Sequence, residues 1–289
     1  MLVRGKPDWL KVKAPTGERF AEVRELTKRM DLMTICDSSH CPNISDCWSR
    51  GHVTFLILGR RCTRRCAFCA VEQGPPEPPD AEEPERIADA VSELALRNVV
   101  ITSVTRDDLP DQGAGQYRAV VEAVRATSPE ARIELLIPDM GSSSQDIGTI
   151  IEAGPDVMGH NIETVRRLQT VRDRRSSYDV SLETLRTIKR LDPSMMTKSS
   201  LMLGLGEAYQ EVVEALWDLR AAGTDLVAIG QYLRPRNGRL EVQEYVPPET
   251  FRRLAEEAKD MGFLRVASAP LIRSSYYADE GASKETDSC

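Results

Sequence analysis

Cys62, Cys66 and Cys69 stand in the run Arg61-Cys-Thr-Arg-Arg-Cys-Ala-Phe-Cys, three thiols in one short loop. Thiolates at this spacing can take three corners of a 4Fe-4S cubane, leaving the fourth iron without a protein ligand and free to bind a substrate or cofactor. Structural zinc asks for four protein ligands, commonly C-x2-C pairs matched by a second pair or by His, and no fourth partner is nearby in the chain. A second set, Cys36, Cys41 and Cys47, has the spacing C-x4-C-x5-C, unlike a common zinc pattern. The competing readings are a zinc-stapled segment for the second set and buried structural thiols for the first. Cys289, alone in a polar tail, reads as chemically idle.

Other reactive residues are few. His40, His52 and His160 are the only histidines. His40 adjoins Cys41, but adjacent positions rarely reach one ion. His160 reads as a hydrogen-bonding residue at a site mouth. Gly204-Leu-Gly206 lacks a third glycine and opens the fifth strand-helix unit, so it is not a dinucleotide fingerprint. Arg60, Arg61, Arg64 and Arg65 crowd the first cysteine loop, and Arg234, Arg236 and Arg239 follow the sixth predicted strand. Such clusters either steer an acidic partner or neutralise anionic groups.

The elements that must position these residues alternate. Strands are predicted at Val53 to Leu58, Val99 to Val104, Ile133 to Ile137, Asp156 to Met158, Thr197 to Leu203 and Leu226 to Ile229. Helical spacing links Ile87, Val91 and Leu94, then Tyr117, Val120, Val121 and Val124. It returns at Leu182, Leu185 and Ile188, at Val212, Leu216 and Leu219, and at Phe251, Leu254, Ala258 and Met261. Alternation of this kind implies parallel βαβ units. Six units are too few for a closed eight-stranded barrel, so an α/β partial barrel is one candidate beside an open doubly wound sheet. The organisation expected is an N-terminal extension over 1–52 carrying the second cysteine set, the strand-helix region over 53–262, and a C-terminal extension over 263–289 with a frayed tail. Ligand sites in such folds gather at the carboxyl ends of the strands, where the first cysteine loop falls.

Charge and hydropathy limit the partners. The 289 residues hold 38 basic and 45 acidic side chains, a net charge of −7, so the overall field attracts neither nucleic acid nor an anionic membrane. The longest aliphatic and aromatic run, Phe55-Leu56-Ile57-Leu58, is far short of the roughly 20 residues a membrane helix needs. Met1 to Ala14 has no apolar signal-peptide core, which points to a cytoplasmic protein. In a reducing compartment seven cysteines argue for metal or redox use over disulfides.

The chain resembles the radical S-adenosylmethionine superfamily, and within it the lipoyl synthase family. The resemblance rests on Cys36 to Trp48, Arg61 to Cys69, Ile101 to Asp111, His160-Asn-Ile-Glu-Thr-Val165, Thr197-Lys-Ser199 through Gly204-Leu-Gly-Glu207, Gly230-Gln-Tyr-Leu233 and Arg273-Ser-Ser-Tyr-Tyr-Ala278. Departures are Ala70, where Asp is usual, Asp37-Ser-Ser-His40, which lacks an acidic pair, and Arg239, where His is common. The resemblance implies a partial (βα)6 TIM-type barrel with two 4Fe-4S clusters and S-adenosylmethionine. One cluster, on Cys62, Cys66 and Cys69, would cleave S-adenosylmethionine. The other, on Cys36, Cys41 and Cys47 with Ser275 as fourth ligand (Ser274 as fallback), would supply two sulfurs to C6 and C8 of an octanoyl-lysine chain. The implied partners are an octanoylated lipoyl carrier, either H protein or the lipoyl domain of a 2-oxoacid dehydrogenase E2, and a ferredoxin or flavodoxin as electron donor. Ser103, Asn161, Glu163, Lys198, Glu207 and Gln231, expected at strand ends, are the candidates for holding S-adenosylmethionine. Another sulfur-inserting radical enzyme, acting on biotin precursors or tRNA, is the alternative within the superfamily. A zinc-stapled binding module is the alternative outside it.

Overall fold

The computed structural model describes residues 5–12, 17–235 and 238–275. Helices α1 (Glu18–Arg29), α2 (Ile35–Ser38) and α3 (Ile44–Ser49) precede the first strand, β1 (Val53–Ile57). A small parallel ribbon, β2 (Arg61–Cys62) with β3 (Glu72–Gln73), brackets the first cysteine loop. Then β4 (Asn98–Ser103), β5 (Arg132–Leu136), β6 (Val157–Gly159), β7 (Met196–Leu203), β8 (Leu226–Gln231) and β9 (Arg265–Ser268) follow in chain order. They interleave with α4 (Glu83–Glu93), α5 (Ala114–Thr127), α6 (Ser144–Glu152), α7 (Tyr178–Leu191), α8 (Tyr209–Ala221) and α9 (Pro248–Asp260). The main sheet is parallel throughout in the order β1-β4-β5-β6-β7-β8-β9, the arrangement of a partial barrel.

Local chemistry explains the elements. All five residues of β1 are buried, as expected where lumen and helices cover both faces of a parallel strand. In α7 the Ser177 hydroxyl accepts from Val180 N at 3.3 Å, Leu182, Leu185 and Ile188 face the core, and Lys189 and Arg190 sit at the carboxyl end of the helix dipole. One core layer joins α4, α5 and α6 to the early strands, and another joins α7, α8 and α9 to the late ones. Truncating Ile101, fully buried in the first layer, to alanine would cost about 2–5 kcal/mol.

All six predicted strands are present, and among the further elements α6 and β9 belong to the main strand-helix alternation. Helix α6 buries only Ile147 and Ile150, too short an apolar stripe to stand out around Gly148. Strand β9 pairs with β8 from Leu226–Arg265 to Ile229–Ser268, so the region after 262 completes the sheet and is not purely an extension. Its four residues are all half-buried, without the apolar run that marked the other strands. The sheet ends at β1 and β9, and the segment before α2 covers the β1 edge. Leu56 N donates to Met33 O at 2.9 Å, and Thr34 bridges antiparallel to Phe55. Beside β8, a Cβ on Gly230 would lie 2.0 Å from the Ile272 carbonyl oxygen, so the segment after β9 needs glycine there. Arg236, Tyr276 to Ala278, the tail from Gly281 and Cys289 lie outside the described residues. Among the described residues no helix is long and apolar enough to cross a membrane.

Candidate active site

The first cysteine loop leaves β1 through a strained residue. Leu58 has φ 69°, a costly conformation for a branched side chain, and it is held from several sides. Its N–H donates to Glu83 Oε2 at 3.0 Å and its carbonyl accepts from Arg106 Nη1 at 3.2 Å. A Cβ on Gly113 would come within 2.3 Å of Leu58 Cδ1, so the side chain fits only against glycine.

Peptide N–H groups point at the sulfurs. Cys62 Sγ accepts from Thr105 N at 3.3 Å and Arg64 N at 3.4 Å, and Cys66 Sγ accepts from Asp173 N at 3.3 Å. Such donors stabilise thiolate charge and tune iron-sulfur sites. The Arg64 side chain is buried and clamps the loop to the barrel, with Nη2 on Asp107 at 2.8 Å and on Asp139 at 2.9 Å. Burial alone would raise the Asp139 pKa, and the Arg64 guanidinium reverses that to a net lowering. Arg175 donates to Asp173 Oδ1 at 2.8 Å, while Asp173 Oδ2 accepts from Arg65 N at 2.8 Å. Burial pushes the Cys66 thiol up, and Cys69 up to about 12. A bound cation would reverse that cost by displacing the proton.

The second set is assembled from both extensions. Thr34 caps α2, accepting from Asp37 N at 3.2 Å, and places Cys36 in a buried position. His40, with φ 49°, turns the chain so that Cys41 N donates to Cys36 O at 2.9 Å. Cys47 lies on α3, its N–H donating to Asn43 O at 2.9 Å. These three cysteines surround a recess of about 20 Å³ together with Arg273 and Ser275. Burial raises the Cys36 thiol to about 11 and raises Cys41 and Cys47 as well. Arg273 donates to Ile272 O at 2.6 Å; burial lowers its pKa, and the charge of a Cys41 thiolate opposes that effect.

Cys36 and Cys41 of the second set, all three cysteines of the first, and Ser274 and Ser275 line one cavity of about 730 Å³, while Cys47 lines only the smaller recess. Among the described residues no three His, Cys, Asp or Glu groups converge on a point that one metal ion could occupy. A cubane asks for a different layout, with each thiolate on its own iron. Soft, shielded thiols with amide donors on their sulfurs meet that chemistry.

Ser103, Asn161, Glu163 and Gln231 line this cavity. Ser103 Oγ is shielded from solvent without a partner in hydrogen-bond geometry, and Asn161 Oδ1 accepts from Ser274 Oγ at 3.0 Å. Glu163 has φ 69° and is pinned where Met202 N donates to its carbonyl at 2.8 Å. Burial raises its pKa, and the Arg172 charge counters the rise. Gln231 is occupied by the fold, since Nε2 donates to Glu244 O at 2.9 Å and Oε1 accepts from Val246 N at 2.8 Å.

Two expectations are corrected. Lys198 lies near the amino end of β7, not at its carboxyl end, and pairs with buried Glu134 at 2.7 Å outside the cavity lining. Glu207 accepts from Gly204 N at 2.6 Å and Leu205 N at 2.9 Å, closing the turn after β7 away from the cavity. His160 is buried and lines the cavity, with Nδ1 donating to Ile137 O at 2.9 Å and Nε2 accepting from Ser181 Oγ at 2.9 Å. Ser181 in turn accepts from Arg172 Nη1 at 2.8 Å. Burial, then Arg172, pushes the imidazole down to about 4. The arginine clusters are largely spent inside the molecule. Arg60 pairs with Asp31 at 2.8 Å, Arg61 with Glu72 at 2.8 Å, and Arg234 with Glu241. The sequence assigns no role to Arg172, which stands in a charged run, or to Asn43, which stands in the resembling stretch Cys36 to Trp48 without a function of its own.

Comparison with known proteins decides the family. The radical SAM superfamily model matches residues 56–219, a span that includes the first cysteine loop. The chain is 54% identical over 278 residues to the lipoyl synthase of Pyrobaculum calidifontis, covering 95% of each protein. It is 50% identical over 277 residues to that of Methanocella arvoryzae, covering 95% of this chain and 94% of the other. The chain belongs to the lipoyl synthase family. A radical SAM lipoyl synthase inserts sulfur and uses a 4Fe-4S cluster with S-adenosylmethionine. Among solved structures, methylornithine synthase matches with TM-score 0.53 at 14% identity over 81% of this chain and 78% of its own. Streptococcus suis SuiB bound to S-adenosylmethionine matches with TM-score 0.53 at 11% identity over 75% of this chain and 50% of its own. These two show the partial-barrel fold alone.

Proposed function

We propose that this lipoyl synthase family member works with two clusters, one on Cys62, Cys66 and Cys69 and a second on Cys36, Cys41, Cys47 and Ser275, facing each other across the shared cavity. When bound, the first cluster and S-adenosylmethionine would supply 5′-deoxyadenosyl radicals, one for each S-adenosylmethionine cleaved and each electron received, to take one hydrogen from C6 and one from C8 of an octanoyl-lysine chain, and the second cluster would supply the two sulfurs. The substrate is an octanoylated H protein or lipoyl domain, and a ferredoxin or flavodoxin provides electrons. The lining of one cavity of about 730 Å³ by Cys36, Cys41 and Ser275 together with Cys62, Cys66 and Cys69 supports this reading.

The protein's own groups prepare that chemistry. Asn161, Glu163 and Arg172 give one wall amide, carboxylate and guanidinium groups suited to the amino, ribose and carboxylate groups of S-adenosylmethionine. Leu136, Ile137, Leu201 and Met202 make neighbouring wall apolar, as a reactive radical requires. Arg273 brings positive charge to a recess that must hold several thiolates. A serine oxygen is harder than a thiolate and a weaker match for cluster iron, so Ser275 can leave when iron is lost during sulfur transfer.

The test is anaerobic mass spectrometry of an octanoyl-lysine peptide incubated with enzyme, S-adenosylmethionine and a strong reductant. Two added sulfurs are expected; an unchanged peptide overturns the assignment. Brown protein with about eight irons per chain separates this reading from a colourless zinc module.

A further inference from the structure

We infer that Asn43 is a positioning residue that docks the serine-bearing segment around 271–275 onto the second cysteine set. The inference rests on the two-cluster reading and deepens it. Asn43 is 3% exposed and lies between Cys41 and Cys47 in the chain. Its Nδ2 donates to the Leu271 carbonyl at 2.6 Å, across 228 residues of sequence. Its own carbonyl accepts from Cys47 N at 2.9 Å, and its N–H faces the Cys41 sulfur. One residue therefore touches Cys41, Cys47 and the segment that carries Ser275, and it lines their recess.

The chemistry makes such a device necessary. Thiolates hold iron by affinity, whereas a serine oxygen is a poor match and must be held in place by the protein. The segment after β9 has partners on the barrel side, where Gln231 N donates to Pro270 O at 3.2 Å and Ser274 Oγ to Asn161 Oδ1 at 3.0 Å. Asn43 ties it to the cysteine side. Loss of one such neutral hydrogen bond lowers the docking equilibrium constant about tenfold.

Asn43→Asp keeps the shape but turns an acceptor toward the Leu271 carbonyl, and Asn43→Ala removes the donor without adding charge. After anaerobic reconstitution, both variants should release one iron per chain to a ferrous chelator about tenfold faster than the parent, as Ser275→Ala should too. In metal-free protein, amide exchange over 271–275 should also quicken about tenfold, with the thermal midpoint reporting that the fold is intact. Asn43→Ala decides the matter if the carboxylate prevents folding. Parental iron release and parental exchange would overturn the role of Asn43. Uptake of only about four irons by the parent would instead overturn the two-cluster reading, and the exchange measurement would still judge Asn43.

Discussion

The two cysteine sets share a cavity but are held by different means. The first is bolted to the barrel, with buried Arg64 spanning Asp107 and Asp139, Asp173 holding Arg65 N, and three peptide N–H groups on two sulfurs. The second hangs on two short helices from one extension and a loop from the other, joined by a hydrogen bond from Asn43 to Leu271. On the proposed reading the first site holds S-adenosylmethionine while passing it an electron, and rigidity serves both duties. On the same reading the second site surrenders its own atoms and must be refilled, and lighter attachment suits that task.

The largest test separates the duties of the two sets. Cys62→Ala should reduce S-adenosylmethionine cleavage to background, whereas Cys41→Ala should keep cleavage and lose sulfur insertion, both read by chromatography of 5′-deoxyadenosine and mass spectrometry of the peptide. Equal loss of cleavage, with irons retained on the first set, breaks the division. Next is the difference in anchoring. Arg64→Ala leaves the buried Asp139 carboxylate unpaired and should cost about 3–5 kcal/mol in urea unfolding of metal-free protein. A loss below about 1 kcal/mol would mean the first loop is not bolted as described. Ser275→Cys should assemble the second cluster yet form several-fold less product, because thiolate holds iron more firmly; full turnover would remove the leaving role from Ser275.

The smallest effect concerns pH. His160 drops from an ordinary 6.5 to about 4 in the fold, so the unfolded chain binds its proton first. Its contribution to stability is complete above about 6.5 and is lost as pH falls toward 4. The urea midpoint of the parent should therefore fall more steeply over this window than that of His160→Gln. Identical slopes would place the imidazole in water.

Legibility in the sequence followed the range of the interactions. Both cysteine sets could be read because their ligands are neighbours in the chain, and α4, α5, α7, α8 and α9 because their apolar stripes repeat locally. Strand β9 escaped because Arg265 and Ser268 interrupt it. Lys198 went astray because strand composition does not reveal which end of β7 a residue occupies, and Glu207 because its carboxylate is taken by the peptide N–H groups of its own turn. Asn43 could be read as part of the stretch Cys36 to Trp48, but its contact could not, because its partner lies 228 residues away. Arg172 acquires its place only when β6 and α7 bring His160 and Ser181 together.

The bond from Asn43 to Leu271 also has a consequence for biosynthesis. At about 5–20 residues per second, the ribosome needs on the order of 10–45 s to travel the 228 residues between them. The earliest thiols to emerge are thus the last to find their cover, naked to oxidants and stray metals throughout translation.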